Sequence, residues 1–90
     1  MFEIRYAKSV NKDLDKLEKQ HLAKIKNGIE TLREFPDISN IKKLSAHPLA
    51  DYRLRVGEYR VLFDVYWDER IIYILKVGHR TDIEQFLFRK

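Results

Sequence analysis

The apolar residues of this chain change their spacing twice. "FEIRYA" (2–7) alternates apolar and polar side chains, the period-two mark of a strand with one buried face. From Val10 the period becomes helical. Val10, Leu14 and Leu17 recur every three or four residues, and a second stripe runs through Leu22, Ile25, Ile29 and Leu32. Ser9 reads as the N-cap of the first helix, and Pro36 stops the second. The pair predicts a helical hairpin with one apolar face on a sheet and its lysines and glutamates outward. After Asp51 the period returns to two. "YRLRV", "YRVLFDVYW" and "RIIYILKV" are rich in β-branched and aromatic residues and read as three strands. Gly57-Glu58 suits a two-residue hairpin turn with glycine first, and Asp68-Glu69 marks the next turn. Such short connections make the strands antiparallel neighbours. Residues 36–50, "PDISNIKKLSAHPLA", read as irregular; "TDIEQFLFRK" reads as a short helix or an extended tail. The order β-α-α-β-β-β predicts one domain over residues 1–90, class α+β, with one sheet and the helices on one of its faces.

The alternation also assigns the faces of the first hairpin. With the turn at Gly57-Glu58, Val56 pairs with Tyr59, Leu54 with Val61 and Tyr52 with Phe63, and all six face the helices. The other face then carries Arg53 and Arg55, with Arg55 directly opposite Arg60 and Arg53 opposite Leu62. Like charges facing each other across a ladder destabilise it by up to about 1 kcal/mol. An anion held between them relieves that cost; so does screening by Asp64 or Glu58, or a different register. Arg80, after the turn-permitting Gly78 in "VGHR", extends the set to four guanidinium groups.

Charge sharpens this picture. The formal net charge is +4, a mild preference for anionic partners. Its distribution is more telling: residues 1–50 hold eight Lys and two Arg, residues 51–90 six Arg and two Lys. Lysine suits a solvated helix surface, whereas arginine suits bidentate capture of phosphate or carboxylate. Lys42 and Lys43, just ahead of the hairpin, are either RNA-binding residues or plain solvated surface. The absence of cysteine excludes disulfides, cysteine-ligated zinc and cysteine nucleophiles, and fits a reducing cytoplasm. The N-terminal stretch is too charged for a signal peptide, and no apolar run approaches the length of a membrane span.

Arginine is a poor base but a strong stabiliser of charge developing at phosphorus. No nucleophile-elbow, zinc-protease or phosphate-loop motif is present. His21, His47 and His79 are not at metal-ligand spacing, and no metal or other cofactor is expected. His79 beside Arg80 is either an RNA contact or a structural histidine. Glu58, Asp64, His79 and Glu84 all remain open as proton-transfer groups. RNA brings its own nucleophile, because a 2′-hydroxyl aligned with the adjacent phosphate can expel the 5′-oxygen once the backbone is positioned. Tyr66, Trp67, Ile71 and Tyr73 supply more large apolar side chains near the hairpin ends than a small monomer easily hides. They are either core or the footing of an amphipathic partner segment.

"YRLRVGEYRVLFDV" followed by "IIYILKVGHR" resembles the core signature of the RelE/ParE superfamily of toxins from type II toxin–antitoxin systems. "DISNIKKLSAHPLADYRLR" is similar to the segment that leads from the second helix into the sheet in that superfamily, so the resemblance covers nearly the whole chain. For the RelE branch it implies a metal-independent, ribosome-dependent mRNA endoribonuclease acting in the ribosomal A site and leaving 2′,3′-cyclic phosphate and 5′-hydroxyl ends. It also implies a RelB-like cognate antitoxin, and operator DNA bound only through the toxin–antitoxin complex. The family's hairpin basics fall on Arg53, Arg55 and Arg60, and the arginine after the last strand on Arg80. The family's catalytic tyrosine falls on Phe86, which can stack on a base but has no hydroxyl. Ser45 and Ala46 stand where many relatives have lysine and glycine. The ParE branch shares the fold and inhibits DNA gyrase, which leaves a gyrase inhibitor, or an inactive binding member, as the alternatives.

Overall fold

The computed structural model of the protein describes residues 1–45 and 49–88, Phe88 by its backbone alone. Ala46, His47 and Pro48 lie outside the described residues, and with them the Ala46 departure from the family pattern. The elements are β1 (Glu3–Tyr6), α1 (Lys8–Asp15), α2 (Lys19–Glu30) with a 3-10 turn at Thr31–Glu34, β2 (Ile41–Lys43), β3 (Tyr52–Val56), β4 (Tyr59–Tyr66), β5 (Ile71–His79) and α3 (Arg80–Phe88). The five strands form one mixed sheet in the order β1-β5-β4-β3-β2, with β1 parallel to β5 and the other pairs antiparallel. No helix among the described residues is long and apolar enough to cross a membrane.

The core lies between the helical hairpin and one sheet face. Val10, Ile25 and Ile29 from the helices meet Val61, Phe63 and Ile74 from β4 and β5, all with no exposed surface. Burying one such side chain contributes about 1.5–3 kcal/mol. Phe63 stacks on Tyr52 across the hairpin, and Phe35 meets both edge-on. Gly28 is where α2 comes closest to β3: a Cβ there would stand 2.7 Å from Val56 Cγ2.

The hairpin register is the one the alternation predicts: Arg55 faces Arg60, Arg53 faces Leu62, and Gly57 turns the chain with φ of 57°. Three local expectations need correction. Helix α1 starts at Lys8 after an Ala7 N-cap, not at Ser9, because Ala7 N–H still bonds to Ile74 O and the chain leaves the sheet directly from there. The segment read as irregular contains β2, which begins after Asn40 in the left-handed region (φ 66°) and pairs with β3. Of the two readings open for the C-terminal residues, the helix is the one formed, as α3. This third helix packs on the outer face of the sheet, so the helices do not all share one face. Its buried Ile83 meets Leu62 and Ala50 there.

Asp13 of α1 completes the β5 edge. Strand β1 accompanies β5 only as far as Ile74. Beyond it, at a bulge where Leu62 pairs with Lys76 but Phe63 with Ile74, the Asp13 carboxylate accepts Val77 N–H at 3.1 Å and the Lys76 ammonium at 3.0 Å.

Candidate nucleic-acid interface

The outer face of the hairpin and one side of α3 enclose a hollow of about 220 Å³. Arg53 and Arg60 line it from β3 and β4, Lys42 and Leu44 from the β2 side, and Arg80, Ile83, Glu84 and Leu87 from α3. The α3 residues are spaced i, i+3, i+4, i+7, so a single helical stripe forms that wall. Its buried Ile83 lies 3.3 Å from the place a Cβ on Gly78 would take, which seats the helix against β5.

Each guanidinium is fixed differently. Arg60 is half-buried, and Nη1 donates to Gly57 O at 2.8 Å and to Tyr59 O at 2.9 Å, which folds the side chain back over the turn. Its pKa is held below the ordinary arginine value, chiefly by burial and then by the positive charges of Arg53, Arg55 and Arg80, with Glu58 opposing. All four arginines therefore share one field. Arg53 Nε is buried with no hydrogen-bond partner among the described residues. Leaving such a donor unsatisfied costs about 1–3 kcal/mol, more for a charged group. Arg80 is tied to the hairpin turn twice: Nε donates to Glu58 Oε2 at 2.6 Å, and its backbone N–H donates to Glu58 O at 2.8 Å. Its terminal Nη groups make no protein hydrogen bond among the described residues.

An anion with several oxygens suits this arrangement. It would give Arg53 Nε an acceptor and relieve the repulsion that adds to burial in lowering the Arg60 pKa.

The remaining candidates separate. Arg55 acts on Arg60 electrostatically but is exposed, on the β3 end beside Asn40 and Ile38. Lys42 pairs with Arg53 and shares its face, whereas Lys43 pairs with Tyr52 and so belongs to the other face. His79 also lies outside the hollow. Its ring meets Tyr59 edge-on at 5.7 Å, and Nδ1 accepts Thr81 N–H at 3.3 Å, capping the start of α3. Phe86 is half-buried in the small apolar cluster under α3, with the Lys76 ammonium 5.6 Å from its ring. Sequence reasoning missed Leu44, Ile83 and Leu87 as lining residues. The i, i+3, i+4, i+7 stripe through Arg80, Ile83, Glu84 and Leu87 is the signal that could have found two of these three, Ile83 and Leu87.

Known proteins give this geometry a lineage. The family model described as "ParE toxin of type II toxin-antitoxin system, parDE" matches residues 4–84. "Putative toxin RelE1" of Methanocaldococcus jannaschii is 40% identical over 82 residues, 88% of this chain and 90% of that protein. The chain belongs to the RelE/ParE family of type II toxin–antitoxin toxins. Among solved structures, a chain of the archaeal RelE–RelB complex from Pyrococcus horikoshii OT3 superposes with a TM-score of 0.71 at 31% identity, covering 88% of this toxin and 94% of that chain. A chain of the RelBE2 toxin–antitoxin complex from Mycobacterium tuberculosis gives 0.76 at 26% identity, covering 88% and 98%. Both the similarity to RelE1 and these structural matches favour the RelE branch. The four arginines that the resemblance singles out are the four that share one field in this toxin.

Proposed function

We propose that this toxin is a ribosome-dependent mRNA endoribonuclease that inhibits translation in the cytoplasm. The convergence of Arg53, Arg60, Arg80 and Lys42 on one hollow, with Arg53 Nε buried and unsatisfied, carries the reading. In this mechanism the ribosomal A site presents the mRNA with a 2′-hydroxyl in line with the adjacent phosphate. Arg53 and Arg60 grip the phosphate oxygens. Arg80, held in place by Glu58, stabilises the charge that develops on the phosphorane as the 5′-oxygen departs. Lys42 neutralises a neighbouring phosphate and contributes affinity. The products are a 2′,3′-cyclic phosphate and a 5′-hydroxyl, and no metal takes part.

A RelB-like antitoxin is the expected partner. The related RelE chains crystallised in complexes with RelB support it. So do the exposed Tyr66 and Trp67, which are 45% and 50% accessible and offer an apolar footing. Operator DNA would be bound only through that toxin–antitoxin complex.

A second reading, inhibition of DNA gyrase, is favoured by the family model that matches, whose description is that of ParE. Primer extension on translating ribosomes, run beside a gyrase-cleavage assay, separates the two. The nuclease reading expects new mRNA ends within codons and no trapped gyrase–DNA breaks. The opposite pattern refutes it and establishes the ParE reading.

A further inference from the structure

Arginines alone leave the attacking 2′-hydroxyl without a base, and the family's tyrosine position holds Phe86. Four groups near the site can carry a proton: Glu58, Asp64, His79 and Glu84. Three of them are committed elsewhere. Glu58 Oε2 is held by Arg80 Nε at 2.6 Å. Asp64 Oδ1 accepts Asp51 N–H at 2.8 Å, four residues along β4 from Arg60 and outside the hollow. His79 Nδ1 caps α3, and its ring lies against Tyr59 on the helix-covered side. Glu84 differs from all three. It lines the hollow, it is exposed, and it has no hydrogen bond or ion pair among the described residues. It lies one helical turn beyond Arg80 on the same stripe of α3, so the helix that positions the transition-state arginine also aims the carboxylate. Facing it across the hollow are Lys42 of β2, Arg53 of β3 and Arg60 of β4, with no second carboxylate among the lining residues.

We propose that Glu84 is the general base of RNA cleavage in this toxin, the role for which Phe86 has no suitable group. This inference rests on the nuclease reading. As the 2′-O–H bond breaks, its proton passes to the Glu84 carboxylate. The 2′-oxygen forms its bond to phosphorus while the bond from phosphorus to the 5′-oxygen breaks. The departing 5′-oxygen takes a proton from water, and the hydroxide so formed removes the proton from Glu84.

The test is single-turnover cleavage of mRNA on programmed ribosomes by Glu84→Gln, with Glu69→Gln as a charge-matched control and thermal melting to verify folding. Glu84→Gln is expected to lower the maximal rate about 100-fold or more, with ribosome affinity within about 3-fold, and to flatten the rise of rate with pH. Glu84→Asp should recover part of the loss. With a 5′-bridging phosphorothiolate, whose leaving group needs no proton, the Glu84→Gln defect should persist. Four results overturn the assignment. They are Glu84→Gln within 3-fold of the wild-type rate; tighter binding at an unchanged rate, which makes Glu84 a counter-ion; an unchanged pH profile; or rescue by the thiolate leaving group, which makes it the acid. Should wild-type toxin make no cuts on programmed ribosomes, the nuclease reading falls and Glu84 with it. Cleavage by wild type with a fully active Glu84→Gln sinks only the base.

Discussion

The two faces of the sheet solve opposite problems with the same strands. On the inner face, β3, β4 and β5 present Leu54, Val61, Phe63 and Ile74 to two amphipathic helices, and no polar side chain is buried among the described residues. On the outer face the next residues in line are Arg53, Arg60 and Leu62, and a small cluster under α3 has just Ala50, Leu62 and Ile83 fully buried among the described residues, with Phe86 and its neighbours half-buried around them. The inner face is organised by removing apolar surface from water. The outer face gathers like charges that Glu58 offsets only in part, through its pair with Arg80, and one buried donor with no partner among the described residues. A sheet that needed both faces for stability would place neither there. The comparison therefore assigns stability to one face and leaves the other for the chemistry proposed above.

Substitution can break that division. The largest effect is expected for Phe63→Ala, which removes a fully buried ring from the inner face and should lower unfolding stability by about 3–5 kcal/mol in urea melts. Next come Arg60→Ala and Arg80→Ala. Each should cost about 2–4 kcal/mol of transition-state stabilisation, roughly 30- to 1000-fold in the rate of cleavage on ribosomes, while stability stays within about 1 kcal/mol. An Arg60→Ala protein that cleaves at full rate would remove the site; one that unfolds would make the outer face structural. Lys42→Ala should weaken binding and reduce the slope of log affinity against log salt by about 1, with the maximal rate little changed. Phe86→Tyr should alter the cleavage rate by less than about 3-fold, because the ring packs in the cluster rather than lining the hollow; a large gain would show that the missing hydroxyl limits the reaction. The smallest effect belongs to Asp64. Burial, aided by the charge of Asp51, raises its pKa despite the Asp51 N–H it accepts. The folded state therefore holds this proton more tightly than the unfolded chain, so stability from this group is lost as pH rises through the carboxylate range. Asp64→Asn, which keeps an acceptor for Asp51 N–H, should raise the melting temperature slightly at pH 7 and not at pH 3, within the ordinary 0.5 kcal/mol of a surface change.

Local pattern made much of this molecule legible. A strict alternation either side of Gly57-Glu58 leaves one register that buries the apolar set, and that register alone puts Arg55 opposite Arg60. The two helices follow from their stripes for the same reason: period and burial are properties of neighbouring residues. The resemblance of "YRLRVGEYRVLFDV" and "VGHR" to RelE and ParE toxins likewise lies in contiguous residues. What the sequence left open depends on contacts between distant segments. A three-residue strand such as β2 has too little pattern of its own, and exists because β3 offers an unpaired edge. That pairing separates Lys42 from its neighbour Lys43, since adjacent strand residues point to opposite faces. Glu58, Asp64, His79 and Glu84 were equal candidates in one dimension. Folding distinguished them by giving the first three a partner and α3 a place on the arginine face, where Leu62 and Ala50 receive Ile83. The side of the sheet on which a terminal helix docks is set by apolar surface left uncovered elsewhere in the fold, and no period within the helix encodes it.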